Sequence, residues 1–441
     1  MSSEKTGNKS MGIKGIKKGE RVVIIGGGFA GLQMAKSLNK ADVEVVLVDK
    51  QNHHQFQPLF YQVASARLEP SSISFPFRKI FQNSKNIDFR MADIKKIIPE
   101  ENKLMTAYDR TISYDHLIIA TGCSTNFFGN KQISEHAFPM KTTQEAIDIR
   151  NKILFSFEKE IFARPDEKQA LMNIVIVGGG PTGVELSGAF AELKKNVFSK
   201  DYHNIDLTKF NIILLEGSAN TLNNMSGQSQ KATREYLENM GVIVKTNTIL
   251  SSYNGKVAVL NTGEEIPTKN VIWAAGVSGN IIEGLKPQDV VRNRYKVDRF
   301  NKLVSYDNIY VLGDVAYMET PKYPNAHPQV ANVAINQAKN LGKNIVNSLK
   351  NSDYKLKEYE YNDLGMMATV GKHKAVVELP FYKFKGPLAW YVWMFLHLML
   401  ILSVRNKIVI FFNWAWSYFT KDTSLRLITN IDYEKDKVTD I

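Results

Sequence analysis

Cysteine is nearly absent from this chain, which has one, Cys123, among 441 residues. A single thiol excludes a disulfide framework and a Cys-x-x-Cys redox pair. No Cys/His cluster has the spacing of metal ligands, so the sequence predicts no metal site. Acidic residues are also outnumbered, 44 against 56 basic ones, and the formal net charge of +12 favours an anionic partner or surface.

The N-terminal twenty residues lack an apolar segment. Residues 1–20 carry several lysines and no hydrophobic core of signal-peptide length, so we expect a disordered basic tail rather than a signal peptide or an anchor. The whole chain has the composition of a folded protein, with 44% hydrophobic residues. The chain of 441 residues is longer than a single hydrophobic core usually supports, so we expect two or three domains.

Glycine is concentrated in two strand-to-helix turns. Residues 22–32 read VVIIGGGFAGL, and residues 174–185 read IVIVGGGPTGVE. In each, β-branched residues predict a buried parallel strand that ends at Gly-x-Gly-x-x-Gly and continues into a helix. These glycines let the backbone approach a pyrophosphate at the positive helix N-terminus. One such turn can be purely structural, but two in the same context predict two dinucleotide sites.

An acidic residue lies after each turn, at the end of the next predicted strand. Asp49 lies 23 residues after Gly26, at the usual distance for a carboxylate that binds a ribose. Glu216 lies 38 residues after Gly178, which implies a longer intervening segment. Glu216 would repel the 2′-phosphate of NADP, and Gly217 offers no arginine to receive it. The sequence therefore favours NADH over NADPH.

Three further buried strands close these units. Residues 114–122 and 271–276 end in Thr-Gly and Ala-Gly, and residues 309–314 end in Gly-Asp before a predicted helix around 329–349. This order predicts a nucleotide-binding domain interrupted by the insertion of another.

The motif order resembles a known family. GGGFAG, ATG, GGGPTGVE, WAAG and GDVA succeed one another as in the flavoproteins with two dinucleotide-binding domains. Together with FQPLFYQVA and the C-terminal third, they resemble the type II NADH dehydrogenases, single-chain NADH:quinone oxidoreductases that do not pump protons, over roughly residues 21–427. The resemblance implies hydride transfer from NADH to the N5 atom of FAD and then two-electron reduction of a membrane quinone.

The resemblance also implies the fold. It is α/β, with two Rossmann-like dinucleotide-binding domains, a discontinuous FAD domain (21–140 and 286–360) and an inserted NADH domain (141–285). The remaining residues, 361–441, form a C-terminal membrane-attachment region.

The resemblance also implies residues of the binding sites, which are assigned by their position in the family's motifs. For FAD and its surroundings the resemblance implies Gly26, Gly28, Phe29, Ala30, Gly31, Asp49, Lys50, His54, Gln57, Ala92, Thr121, Gly122, Gly313, Asp314, Ala331 and Lys385. For the inserted domain it implies Gly178, Gly180, Pro181, Thr182, Gly183, Glu216, Ala275 and Gly276. Glu185 resembles the family's acidic residue beside the nicotinamide and flavin, although a glutamate in the first turn of a helix is also stabilised by the helix dipole alone.

One motif departs from the family. Its Ala-Gln-x-Ala-x-Gln pattern, whose glutamines face the quinone, is matched here by ANVAIN at 331–336. Asn332 and Asn336 keep the amide but shorten each side chain by one methylene. We expect them at the acceptor site, and Gln329 and Gln337 are the neighbouring alternatives.

An apolar, aromatic stretch lies near the C-terminus. Residues 386–404 carry no formal charge and are long enough for one spanning helix, whereas 408–419 is too short to return. Lysines and arginines flank the stretch, and its Trp and Tyr residues favour an interface, although a buried core helix stays an alternative. We expect two helices in one leaflet, peripheral or monotopic on the cytoplasmic face of an anionic cell membrane, and leave a homodimer open.

Three rival classes differ in cysteine or motif content. Sulfide:quinone oxidoreductases need several cysteines and disulfide reductases need Cys-x-x-Cys, so one cysteine argues against both. The alternative is a flavoprotein like the apoptosis-inducing factors, with a mainly binding or signalling role. The scattered lysines lack a nucleic-acid motif, so we expect no nucleic-acid partner.

Overall fold

The computed structural model describes residues 16–421 and 425–429, so residues 1–15 of the predicted tail lie outside the described residues. The chain divides into two compact units. Unit 1 comprises Met1–His54, Pro76–Ser124 and Ser278–Asn362. Unit 2 comprises Gln55–Phe75, Thr125–Val277 and Asp363–Ile441. Both units are therefore discontinuous in sequence.

Unit 1 is built on a five-stranded parallel sheet. Its strands and helices are β1 Arg21–Ile25, α1 Phe29–Leu38, β2 Glu44–Asp49, α3 Phe77–Ile80, β5 Ile87–Met91, β6 Ile94–Ile98, β7 Lys103–Thr106, β8 Thr111–Ser113, β9 His116–Ile119, β20 Val290–Val291, β21 Arg294–Val297, β22 Ile309–Val311, β23 Ala316–Met318 and α10 Ala331–Lys350. Four short strands lie at the unit boundaries, namely β3 His53–Gln55, β4 Ser74–Pro76, β10 Cys123–Thr125 and β19 Val277–Gly279. The order in the parallel sheet is β22-β9-β1-β2-β5.

The central strands of the parallel sheet form the core of unit 1. Both faces of a parallel sheet are covered, which explains why β1, β2 and β9 are almost wholly aliphatic and buried. Helices α1 and α10 pack on each other, and a Cβ at Gly342 would lie 2.4 Å from the Cβ of Ser37. The glycine thus permits this close helix contact.

Unit 2 repeats the plan with a second parallel sheet. Its elements are α2 Phe60–Ala64, α4 Lys131–His136, β11 Phe138–Pro139, α5 Thr143–Glu160, α6 Pro165–Met172, β12 Asn173–Val177, α7 Pro181–Leu193, α8 Ser199–Asp201, β13 Asn211–Leu215, α9 Gly227–Asn239, β14 Val242–Lys245, β15 Leu250–Tyr253, β16 Val257–Leu260, β17 Glu265–Pro267, β18 Asn270–Trp273, β24 Met366–Gly371, β25 Lys374–Glu378, β26 Lys383–Lys385, α11 Pro387–Leu400 and α12 Val404–Thr420. The sheet order is β11-β18-β12-β13-β14. The predicted α/β class with two Rossmann-like units is confirmed.

Helix α7 lies unusually close to strand β24. A Cβ at Gly188 would fall 1.6 Å from the carbonyl oxygen of Val370, so only glycine fits there. After α7 the chain continues through a π-helical segment, Lys194–Phe198, and the short α8. This extension accounts for the long interval between the second glycine turn and Glu216.

The aromatic C-terminal stretch forms two helices. Helix α11 ends at Leu400 and α12 begins at Val404, so residues 386–404 do not form one continuous helix. Along residues 16–421 and 425–429, no helix combines the length and apolarity needed to cross a membrane.

Candidate active site

The first glycine turn leaves no room for side chains at two positions. Gly26 has φ +97°, and a Cβ there would lie 2.3 Å from the carbonyl oxygen of Ala120. A Cβ at Gly31 would lie 1.7 Å from the carbonyl oxygen of Gly26. At Gly28, by contrast, no described atom lies within 4 Å of an added Cβ. The turn is thus tight inside the protein and open on the side where a pyrophosphate would approach.

The second turn has the same construction. Gly178 has φ +111°, and its added Cβ would lie 2.8 Å from the carbonyl oxygen of Ala274. A Cβ at Gly183 would lie 1.9 Å from the carbonyl oxygen of Gly178, and one at Gly180 meets no described atom within 4 Å. Pro181 begins α7, where a proline replaces an N–H that the helix does not use.

Each strand-end carboxylate is held by backbone N–H groups. The N–H of Gly27 donates to Asp49 Oδ2 at 2.6 Å, and that of Gln51 donates to Oδ1 at 2.7 Å. Glu216 is held in the same way, because Gly179 N–H donates to Oε2 at 2.6 Å and Ser218 N–H to Oε1 at 2.7 Å. Burial raises the pKa of Asp49, against the lowering effect of these hydrogen bonds.

A cavity of about 270 Å³ lies beside the first turn. It brings together five predicted residues and several that sequence reasoning missed. Its lining consists of Ile25, Gly26, Asp49, Lys50, Ala92, Asp93, Ile94, Thr121, Asn280, Ile281 and Ile282. Thr121 Oγ1 donates to the Asn280 carbonyl oxygen at 2.7 Å, and Asn280 Nδ2 donates to that of Thr121 at 2.9 Å. No sequence motif indicated Asn280, because its position depends on this pairing between residues that are 159 positions apart in the sequence.

His54 supports the first turn from beneath. Its Nδ1 donates to the Gly27 carbonyl oxygen at 2.9 Å, and its ring meets Phe29 edge to face at 5.2 Å. Burial lowers the pKa of His54 to about 4, so the imidazole is neutral at neutral pH. Its role in the structure is to position the turn.

The Gly-Asp pair is also fixed by neighbouring groups. Gly313 N–H donates to Gln337 Oε1 at 2.8 Å, and Gln329 Nε2 donates to the Asp314 carbonyl oxygen at 2.9 Å. Cys123 Sγ donates to Asp314 Oδ2 at 3.0 Å. Both glutamines that are alternatives at the acceptor site are thus engaged with this segment.

The two asparagines of α10 are half-buried and bonded to each other. Asn336 Nδ2 donates to Asn332 Oδ1 at 2.9 Å across one helical turn. They share a helix face, as their spacing predicts. Ala331, at the first position of the same helix, is also half-buried.

Glu185 lies in unit 2 on the wall of a second cavity. The cavity is formed by α2, α7, β24, α11 and α12, and its lining includes Tyr61, Gln62, Trp393 and Trp414. Burial raises the pKa of Glu185 to about 8, against the lowering effects of the Thr369 N–H, 3.4 Å from Oε1, and of the Trp393 indole. The carboxyl group is therefore mostly neutral at pH 7.

The other predicted residues of unit 2 lie apart from this cavity. Gln57 and Lys385 are exposed. The closing strand β18 leads to Gly276, which has φ +68°, and Trp273 Nε1 donates to the Ala275 carbonyl oxygen at 2.6 Å. Among the described residues, no group of three or more His, Cys, Asp or Glu side chains is arranged to hold a metal ion.

Sequence reasoning missed the aromatic part of the second cavity. Gln62 belongs to the stretch FQPLFYQVA, and Trp393 and Trp414 belong to the apolar C-terminal stretches, whose pattern indicates an interface rather than a cavity. The pairing of helix α2 with α12 through Trp414 Nε1 and Gln62 Oε1, 2.8 Å apart, spans 352 positions of sequence. Only the fold reveals it.

Comparison with known proteins identifies the family. Residues 20–338 match the pyridine nucleotide-disulphide oxidoreductase model, and residues 364–421 match that of the NDH2 C-terminal domain. The type II NADH:quinone oxidoreductase Ndh of Mycobacterium tuberculosis is 30% identical over 428 residues, which cover 93% of this chain and 90% of that protein. The chain belongs to the type II NADH:quinone oxidoreductase family.

Other relatives agree with this membership. The type II NADH:quinone oxidoreductase of Staphylococcus aureus is 27% identical over 81% of this chain and 89% of its own length. Among solved structures, Plasmodium falciparum NDH2 in complex with NADH has a TM-score of 0.86 at 21% identity, covering 94% of this chain and all of that one. The sulfide:quinone oxidoreductase of Aquifex aeolicus shares the fold, with a TM-score of 0.69 and 21% identity over 91% and 96% of the two chains. The predicted family is confirmed.

Proposed function

We propose that this protein oxidises NADH and reduces a membrane quinone by two electrons, with FAD as its bound redox group. The net reaction is NADH + H⁺ + quinone → NAD⁺ + quinol. This proposal rests on family membership, because relatives that match over about nine tenths of their own length are named for this activity. It also favours an enzyme over a flavoprotein with a mainly binding role.

Unit 1 fits FAD. A cavity opens beside a glycine turn that admits no side chain at Gly26 or Gly31, and Asp49 stands at its edge, held by two N–H groups. Gly28 and the N-terminus of α1 would receive the pyrophosphate, Asp49 the ribose, and Ala92 and Thr121 the adenosine side. Asp314 would receive the ribityl chain. Bound FAD supplies two-electron chemistry between NADH and the quinone.

Unit 2 fits NADH. The turn from Gly178 to Gly183, with Pro181 and Thr182 at the start of α7, would receive the pyrophosphate. Glu216 would accept hydrogen bonds from the adenosine ribose while it repels a 2′-phosphate. Ala275 and Gly276 come directly after the closing strand, which ends at the same edge of the sheet as β12. These residues bind and orient the nucleotide.

Glu185 would hold a proton near the acceptor. Its carboxyl group is buried and mostly neutral at pH 7. Glu185 would therefore hold the one proton that the net reaction consumes in addition to the hydride from NADH. Asn332 and Asn336 are the proposed amide contacts on the acceptor side.

The outer surfaces of α11 and α12 favour peripheral attachment to an anionic membrane. Tyr391, Phe395, Leu400, Phe411 and Phe412 are each at least 50% exposed. Exposed aromatic and aliphatic side chains with flanking lysines are typical of helices that lie in an interface. Attachment at the cytoplasmic face and a homodimer stay predictions, the latter testable by light scattering.

The activity is tested with the purified full-length protein. It should carry noncovalent flavin whose visible absorbance is bleached anaerobically by NADH and restored by a soluble quinone. It should be bleached much faster by NADH than by NADPH. Bleaching by NADH without reoxidation by any quinone would contradict the proposed acceptor.

Membrane attachment is tested by replacing Phe395, Phe411 and Phe412 together with glutamate. The variant should lose binding to vesicles that contain anionic lipid. Phe162→Glu is the matched control, because Phe162 is 89% exposed on another part of unit 2. Unchanged vesicle binding by the triple variant would contradict the assigned surface.

A further inference from the structure

The hairpin formed by β25 and β26 exposes two aromatic side chains at its tip. The Leu379 N–H donates to the Tyr382 carbonyl oxygen at 2.7 Å, so Pro380 and Phe381 form a two-residue turn. Phe381 is 94% exposed and Tyr382 is 74% exposed. Among the described residues, no other large hydrophobic side chain is as exposed as Phe381.

The geometry of the turn does not explain these aromatic residues. Two-residue hairpin turns favour Gly, Asn and Asp, which adopt the required backbone angles easily. An aromatic side chain in such a turn gains no packing there and leaves its apolar area in water. The adjacent Phe381 and Tyr382 therefore indicate a partner that covers the tip.

The hairpin is held in place by its own packing. Ala375 and Val377 of β25 are buried in one cluster with Ala389 of α11. The Ser226 N–H and hydroxyl both donate to Glu378 Oε1, at 2.9 and 2.5 Å, which attaches the end of β25 to the start of α9. The tip therefore projects from a packed base, and its exposure is a property of the folded unit.

The exposed apolar residues continue into α11, which begins two residues after β26 ends. Leu388, Tyr391 and Phe395 are 66%, 50% and 62% exposed. Their spacing of three and four residues places them on one face of the helix. The tip is thus joined directly to the helix whose outer face we assign to a membrane.

Basic residues follow the aromatic tip. Lys383 and Lys385 are exposed on β26, and Lys383 Nζ lies 3.7 Å from Glu378 Oε2. Strand β26 is at the edge of its sheet, where lysines also prevent pairing with another chain, so the charges alone do not indicate a partner. Aromatic rings beside lysines, however, match the interface of an anionic bilayer, where the rings lie at headgroup level and lysines bind phosphate.

We propose that the tip of this hairpin is a further membrane contact, separate from α11 and α12. Phe381 and Tyr382 enter the headgroup region of an anionic bilayer, and Lys383 binds lipid phosphate. This inference rests on the proposed attachment of unit 2 to a membrane and adds a contact that the two helices do not provide. With a contact at the hairpin as well as along the helices, the orientation of unit 2 on the membrane is fixed.

The affinity test uses the full-length protein with bound FAD. In the double variant Phe381→Ser and Tyr382→Ser, partition into phosphatidylglycerol-containing vesicles should fall about ten- to hundredfold, the range for one fully buried aromatic side chain. Lys383→Gln should lower this partition about fivefold and leave binding to pure phosphatidylcholine vesicles unchanged. Anaerobic bleaching of the flavin by NADH in solution should not change in either variant.

A polarity-sensitive fluorophore at the tip measures insertion directly. It is attached to Phe381→Cys in a Cys123→Ser background, which leaves one thiol in the chain. Its emission should shift to shorter wavelength when the anionic vesicles are added. Tyr108→Cys in the same background is the matched control, because Tyr108 is 77% exposed in the turn between β7 and β8 of unit 1, and its label should not shift.

The outcomes separate this inference from the proposed attachment. Vesicle binding without an emission shift at position 381 would overturn the inference and leave attachment through α11 and α12 intact, and it is the result expected if a protein covers the tip instead. Equal partition of the double variant and the wild type would also overturn it. Failure of the wild type to bind vesicles would instead remove the proposed membrane attachment itself.

Discussion

The two glycine turns have nearly the same backbone geometry but lead into helices with different surroundings. In unit 1 the helix after the turn packs on α10, and the strand-end acid borders an open cavity. In unit 2 the helix after the turn carries Glu185 into a second cavity and then runs into a π-helical segment. We therefore expect the turn to set where a dinucleotide binds, and the helix that follows it to set which second site the unit carries.

Closing either turn with a side chain should cause the strongest change. Gly31→Val and Gly183→Val place a Cβ within 2 Å of a carbonyl oxygen in equivalent positions. If the turns serve different nucleotides, Gly31→Val should be purified without flavin. Gly183→Val should keep its flavin absorbance but be bleached by NADH slower by a factor on the order of 100.

Gly227→Ala is the control for these variants. Gly227 is exposed, and an added Cβ there meets no described atom within 4 Å. It should retain flavin and normal bleaching. Loss of flavin from Gly183→Val alone would show that the units do not divide the nucleotides as proposed.

The next effect concerns the two strand-end acids. Glu216→Ala removes the acceptor of two N–H groups and the charge that repels a 2′-phosphate. We expect the NADH-to-NADPH ratio of kcat/KM to fall roughly tenfold or more, given the strength of charged hydrogen bonds. Asp49→Asn should instead weaken flavin retention and leave that ratio unchanged. Stopped-flow bleaching with both nucleotides measures it, and equal ratios in Glu216→Ala and the wild type would contradict the assignment.

Glu185 gives a pH dependence. Because burial raises its folded-state pKa to about 8 from the ordinary value of 4.5, its contribution to stability is fully present below the unfolded pKa and is lost as pH rises through about 8. The wild type should therefore lose Tm relative to Glu185→Gln between pH 5 and pH 9. Thermal unfolding across that range measures the difference, and parallel curves would show that Glu185 ionises normally.

The weakest change should come from the asparagines. Asn332→Ala or Asn336→Ala should slow flavin reoxidation by quinone about twofold, because a hydrogen bond to the neighbouring amide already occupies part of the capacity of each side chain. Flavin reduction by NADH should not change. A much larger loss in either variant would make the asparagine pair the main contact with the acceptor.

The glycine turns, the strand-end acids and the α/β order were predictable, because each depends on residues close together in sequence. Asp49 and Glu216 come after their turns by one supersecondary unit, so their positions are set locally. The cavity around Trp393 was not predictable, because Tyr61, Glu185 and Trp414 meet only through long-range packing. Asn280 was missed for the same reason, since its contacts with Thr121 bridge 159 positions.

The absence of a side chain at Gly188 has a mechanical consequence. Helix α7 spans 13 residues, or about 20 Å, and rests directly on the backbone of β24 at its middle. Helix α7 begins at the turn that would meet the nicotinamide nucleotide, and it also bears Glu185. Both therefore belong to one helical segment that packs against β24. Because Glu185 lies between the turn and Gly188, a substitution at Gly188 that moves α7 away from β24 should move the turn and the buried carboxyl group together.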